Sequence, residues 1–396
     1  MIQRTLLALL IGAATVVFVL PSQKRSSDRI TKGGAIMPVR SIVDPYPVFN
    51  GIAVDSENNI VAMTDGNRKS LLIYDRTAGS ADSEEETKPL RQMIGPETNI
   101  GFVAGIMIDP KKREVFAVNN DIEDTMLVLP CEAKGNVRPS RLLSVPHQAW
   151  GLAYSPVRKE MAVSVEMHNG IVIYKLDADG VEAPLRAMQG PHTGLADPHG
   201  IAWDEMHNEI AVANHGNFRG LAKNMGQGCT PSIPTADEES EAGQFQPPSI
   251  TVYPATAKGD QKPSRTIQGS KTQLDWPMGL AVDPVHNEVA VVNNGDNSVL
   301  FYRRTATGDV APVRAIRGPR TRISRPMGLA IDTKNDEVWV ANFADHTALA
   351  FNRIDNGDQA PKRIIRNAPA GTPSAGFGNP MAMAYDSKRE EILVPN

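Results

Sequence analysis

The sequence predicts an all-β fold, a β-propeller of four-stranded antiparallel blades, on three observations. A short signature, G-(I/L)-A-x-D, recurs at intervals of about fifty residues. The stretches between copies divide into short runs rich in β-branched and aromatic residues, bounded by Gly, Asn, Asp or Pro, as strands are. The runs come in the same order each time, so a single meander is repeated, and repeated meanders bury their faces by packing blade against blade.

The first residues stand apart from this pattern. Arg4 precedes an uncharged stretch, Thr5 to Leu20, which is followed by Pro21, Lys24 and Arg25. That is the layout of a signal peptide or an uncleaved signal anchor, so residues 1–35 are assigned to export plus a linker. Both the cleaved and the tethered form fit, the latter with residues 5–20 as a membrane tether. The expected location is periplasmic, extracellular or membrane-anchored. Residues 36–396 form a single propeller domain.

Copies of the signature begin at Gly51, Gly105, Gly151, Gly200, Gly279 and Gly328, with a seventh at Ala382. The clearest unit runs from Gly279 to Met327 and reads as LAVD, EVAVVN, SVLFYRR and PVRAIRG. Its first turn, Asp283 to Glu288, and the later Gly308–Asp309 turn are suited to tight antiparallel hairpins. Fourth-strand sequences also occur seven times, from Pro38 to Pro361, each with an Arg two residues on. Third strands occur six times. The count therefore points to seven blades, the last split between the N- and C-termini and short of one strand, with six blades as the alternative. The interval between Gly200 and Gly279 holds an insertion at about 216–248, a binding lid or a loop excursion.

Segments such as SITVYPATAKGDQKPSRTIQG (249–269) and SVLFYRRTATGDVAPVRAIRG (298–318), each followed by a P-M-G-L-A-x-D type turn, resemble the NHL repeats of secreted bacterial propellers near the SMP-30/gluconolactonase-like superfamily. The resemblance covers about residues 38–396. It implies a propeller, and it implies either a binding module or a sugar lactonase or related hydrolase that holds a divalent cation such as Ca or Zn near the channel mouth.

Strand direction places the P-x-G turns and the ends of the second strands on one rim. The candidates there are Asn50, Asp65, Asn119, Trp150, Glu166, His199, Asn214, His215, Asn293 and Asn342. A ring of Asn side chains is suited to a divalent ion or a sugar, and equally to capping its own strand exits. The exceptions to the repeat say more. Glu166 stands where other blades carry Asn or His, and with His199, His215 and Asp65 it forms a candidate metal or acid–base group. Glu166, His199 and His215 are the catalytic candidates, although no catalytic spacing motif accompanies them.

A formal net charge of −4 with mixed signs argues against a nucleic-acid binder. The two cysteines, Cys131 and Cys229, have no metal-ligand spacing, and their places in the repeat put them on opposite rims, which disfavours a disulfide. The expectation is a monomeric binding module that presents one rim to a protein, glycan or small ligand, with a divalent-metal-dependent lactonase or hydrolase as the alternative.

Overall fold

The computed structural model describes residues 49–366, apart from 67, 80–86, 121–122, 167, 217–245 and 346, together with two short strands, Ala384–Asp386 and Glu391–Leu393. The N-terminal stretch expected to direct export, the fourth-strand sequence expected at Pro38, most of the 216–248 insertion and Cys229 lie outside the described residues.

Six four-stranded antiparallel sheets, each with its strands in sequence order, span residues 49–94, 103–144, 149–188, 198–268, 277–316 and 326–366. The first strand of each packs against the first strand of the next, and that of blade six packs against that of blade one. The ring is therefore six-bladed, the alternative count, and every blade in it is contiguous in sequence. The copy at the C-terminus forms a two-stranded sheet of its own, pairing Ala384 with Leu393 and Asp386 with Glu391.

The reason for six lies in the signature glycines. A methyl group at Gly200 would sit 2.2 Å from the Met278 carbonyl oxygen of the following blade. At Gly328 it would sit 2.8 Å from the carbonyl oxygen of Asn50, the first blade's own entry strand. Backbones this close leave no width for a seventh inner strand. Apolar faces complete the same seam, where Val61, Met63, Leu72 and Tyr74 of blade one bury against Trp339, Ala341, Ala348 and Ile365 of blade six.

The polar turns hold each meander locally. Asp283 accepts the His286 backbone N–H (2.9 Å) and bonds its Nδ1 (2.7 Å), and the Asp residues at 55, 109, 204 and 332 accept turn N–H groups in the same way. Blade three has Ser155 at that place. There Glu205 reaches across from blade four to Ser155 Oγ (2.7 Å) and to the Val157 N–H (2.9 Å), so a carboxylate is supplied by the neighbour.

The turn glycines between third and fourth strands, expected as hairpin connections, also latch the blades together. Gly135 donates its N–H to Gln92 O (2.7 Å) and accepts from Ile94 N (3.0 Å) of the preceding blade, at a φ of 74°. Equivalent bridges join Leu143 to Gly180, Met188 to Gly259, Ile267 to Gly308 and Ile316 to Gly357. Outer edges that would otherwise template pairing with another chain are thereby partly covered.

The fourth-strand arginines were expected to cover apolar edge surface, and Arg314 does lie 3.9 Å over the Phe301 ring. Their stronger contact is with the Glu that opens the second strand of the same blade: Arg141 with Glu114, Arg186 with Glu160, Arg265 with Glu209, Arg314 with Glu288 and Arg363 with Glu337. A further Arg arrives from the following blade in three cases, Arg304 on Glu209 (2.7 Å), Arg353 on Glu288 (3.1 Å) and, at the closing seam, Arg76 on Glu337 (2.7 Å). The Arg265 hydrogen bond holds the Glu209 carboxyl below its ordinary range. Burial pushes Glu288 and Glu337 upward, but their cations outweigh it and both end lower.

Two outcomes test this account. Gly200→Ala is expected to lower stability by about 3 kcal/mol through steric conflict at the seam, whereas Gly135→Ala, where the space beyond Cα is open, costs only about 1–2 kcal/mol from its left-handed backbone; thermal unfolding of both variants checks the difference. Depressed folded-state carboxyl pKa values contribute stability above the unfolded value of 4.5, and that stability is lost as pH falls through the folded values. The melting temperature should accordingly drop below about pH 4.5, and less steeply in Glu337→Gln, as followed by circular dichroism across a pH series.

Candidate functional site

The axial channel is narrow, a cavity of about 70 Å³ lined by the signature glycines, Ile52, Ile106, Leu152, Ile201, Leu280, Leu329, Trp150, Met327 and Asn50. The lining holds no carboxylate and no imidazole. Asn50 is buried there and donates to Val103 O at 3.0 Å.

The second strands end at Asp65, Asn119, Val165, Asn214, Asn293 and Asn342, so in blade one the equivalent residue is Asp65 rather than Thr64. The Asn side chains do not face a ligand. Asn342 accepts from Ser324 N (2.6 Å) and donates to Arg322 O (2.9 Å) and Thr347 Oγ1 (3.1 Å). Asn119 and Asn293 tie the same loops in their own blades, and Asn214 accepts from Ala196 N while donating to Thr251 Oγ1. Each amide is consumed in holding the entry loop to the strand exit, which corrects the reading of these four as rim ligands. Asp65 is likewise a turn cap, accepting from Arg68 N and Ser70 Oγ. It stands in blade one, away from blades three to five, and does not join Glu166.

The residue after each strand end behaves differently, because it reaches the entry strand of the next blade. Asn120 donates to Ala149 O (3.1 Å) and Asn294 to Pro326 O (3.3 Å). Glu166 and His215 occupy this bridging position in blades three and four. Glu166 Oε1 lies 3.0 Å from His199 Nε2, and His215 Nε2 meets the Met278 thioether.

The structure thus brings Glu166, His199 and His215 together and adds Asp197. The carboxylate of Asp197 faces both imidazoles, Oδ1 at 3.6 Å from His199 Nδ1 and Oδ2 at 3.3 Å from His215 Nδ1. The two imidazole rings stack with centroids 3.5 Å apart. Trp150 closes one end of the stack, 4.6 Å from His199, and Trp276 the other, 5.3 Å from His215. Both His side chains are 6% exposed, Asp197 is 19% exposed, and Trp276 is 53% exposed.

The two histidines are shifted in opposite directions. Burial opposes protonation of His199, but the Glu166 hydrogen bond and the charges of Glu166 and Asp197 outweigh it, so its pKa is raised. His215 is pushed down to about 4, by burial first and then by the neighbouring His199. His199 has hydrogen-bond partners at both nitrogens, Glu166 at Nε2 and the Asp197 carbonyl at Nδ1 (3.1 Å), so it is not an available base.

Asp197 and Trp276 were missed in the sequence because attention stayed on the residue just before each signature Gly. Two places earlier, Gln148, Asp197, Trp276 and Arg325 form a positive-φ series, at 62°, 54°, 50° and 45°. Their carbonyls in blades three to five receive the N–H of the bridging residue, as Asp197 O does from His215 N (3.1 Å). The loop geometry is common to these blades, while the side chain it presents at the rim varies.

No known family pattern matches the sequence. No curated protein matches it either. Solved structures with this architecture include that of a functionally unknown protein from Desulfotomaculum acetoxidans, which superimposes with a TM-score of 0.53 at 15% identity, over 91% of this chain and 92% of that one. The likeness establishes the β-propeller and assigns no activity.

Because its amide holds three partners, Asn342→Ala is expected to cost about 2 kcal/mol. Thermal unfolding reads that loss, and ligand binding at the Trp276 rim should be unchanged.

Proposed function

We propose that the chain is an exported NHL-like propeller that binds a glycan or another small ring-bearing ligand on one rim, over blades three to five. The observation that carries this reading is Trp276. It is the single aromatic among the exposed large apolar side chains of the described residues, and it stacks on His215 while half its surface remains open. A rigid aromatic face beside fixed polar groups is the usual composition of a small-ligand site. The channel lining, which holds no carboxylate and no imidazole, supports a site on the rim over one along the axis. Export rests on the uncharged Thr5–Leu20 stretch.

The alternative, a divalent-metal-dependent lactonase or related hydrolase, draws on the same Glu166, His199 and His215. It requires a turnover that disappears in Glu166→Gln. The engagement of both His199 nitrogens favours binding over acid–base chemistry.

A glycan array probed with the native chain and with Trp276→Ala and Trp276→Phe tests the proposal. Loss of the stacking face should weaken binding about tenfold or more in the Ala variant and much less in the Phe variant. Equal binding by native chain and Trp276→Ala would remove the rim assignment.

A further inference from the structure

We infer that Asp197, His199 and His215 form a binding site for a single zinc-class transition-metal ion beneath the Trp276 rim. The inference rests on the rim reading for its location, and on an independent donor geometry for its chemistry.

The ligand atoms of these three side chains all lie within 4.8 Å of one another. The Asp197 oxygens stand 3.3 and 3.6 Å from the two Nδ1 atoms. A tetrahedral ion bound at 2.0–2.1 Å separates its ligands by about 3.3 Å, so the spacing needs little adjustment. The two rings, stacked at an interplanar angle of 20°, must rotate out of the stack for both in-plane lone pairs to converge on one ion.

What surrounds the rings matches the arrangement of a metal site. Ligating histidines commonly donate their remote N–H to a carboxylate or another acceptor, which fixes the tautomer. Here Glu166 stands at His199 Nε2 (3.0 Å), and the Met278 sulfur stands at His215 Nε2. With an ion bound at Nδ1 each imidazole would be neutral and carry its one proton on Nε2, directed at Glu166 in His199 and at the Met278 sulfur in His215. Asp197 itself is anchored, its N–H donated to Asn169 Oδ1 at 2.7 Å and its carbonyl accepting the His215 N–H.

Two imidazoles and one carboxylate suit zinc, cobalt, nickel or copper rather than calcium, which takes six to eight oxygens. Three protein ligands leave a position open, as in sites that also bind an exogenous group. Asp197 is the most exposed of the three, 19% against 6% for each His, so that position opens to solvent on its side.

The test uses the full chain after chelator treatment and dialysis, titrated calorimetrically with zinc chloride and separately with calcium chloride. One zinc ion per chain at micromolar affinity or tighter is expected, with no heat from calcium. Asp197→Asn and His215→Gln should each weaken zinc at least 100-fold, and Glu166→Gln about 10- to 100-fold with the stoichiometry still one. Copper should quench the fluorescence of Trp150 and Trp276 in the native chain, and Trp276→Phe should show only part of that quenching while keeping its zinc affinity. Should the ligand variants fail to fold, X-ray absorption of the zinc-loaded native chain decides: a shell of two imidazoles with oxygen is expected, and a sulfur shell overturns the site. Absence of zinc binding, or binding undiminished in Asp197→Asn, also overturns it. A native chain that binds glycan but no zinc counts against the ion alone, and one that binds zinc but no glycan counts against the rim reading alone.

Discussion

The close approach of each signature glycine to the entry strand of the next blade is the constraint on which the rest of this structure depends. Gly200 against Met278 O and Gly328 against Asn50 O are instances of one contact, repeated around the axis and closed at the seam between blades six and one. Adjacent backbones separated by so little leave no gap for a further inner strand and line the channel with glycine backbone and aliphatic side chains. Glycine is required there by proximity, since any side chain would be driven into a neighbouring peptide.

Around that inner ring, the repeat acts mostly at seams. Turn glycines latch one blade to the outer strand of the preceding one, and the Glu that opens a second strand collects an Arg from its own blade and, in three blades, another from the next. Such partly buried pairs are weak arguments for stability taken singly. Their value here lies in registering one sheet against the next, because each carboxylate that loses a cation would remain half-buried. Where the repeat fails, the neighbour compensates, as Glu205 does for the missing carboxylate at Ser155.

The candidate site arises from the same seam logic. In blades two to five the residue following the second strand reaches the next blade, as an Asn donating to a carbonyl in blades two and five. With Glu166 and His215 in that role, the bridge becomes an array of ionisable side chains in which one imidazole pKa is raised and the other lowered. Trp150 and Trp276 flank the two rings, excluding water from one end and presenting an open aromatic face at the other. A device that elsewhere only joins blades thus acquires chemistry at blades three to five.

The sequence by itself determined the all-β meander, its four strand types, the turn chemistry and the rim on which Glu166, His199 and His215 would lie, because these depend on local periodicity and on residues a few positions apart. It could not determine the blade number. Seven copies of a signature count sequence units, whereas six inner strands are what the backbone separation allows, and that separation exists only once the blades are packed. The Asn residues show the same limit from the other side: a side chain able to bind an ion or cap a loop reads identically until its partners, such as Ser324 N and Arg322 O for Asn342, are in place. Asp197 and Trp276, two places before the positions that drew attention, became visible only when a shared loop conformation brought residues of three blades within a few ångströms of one another.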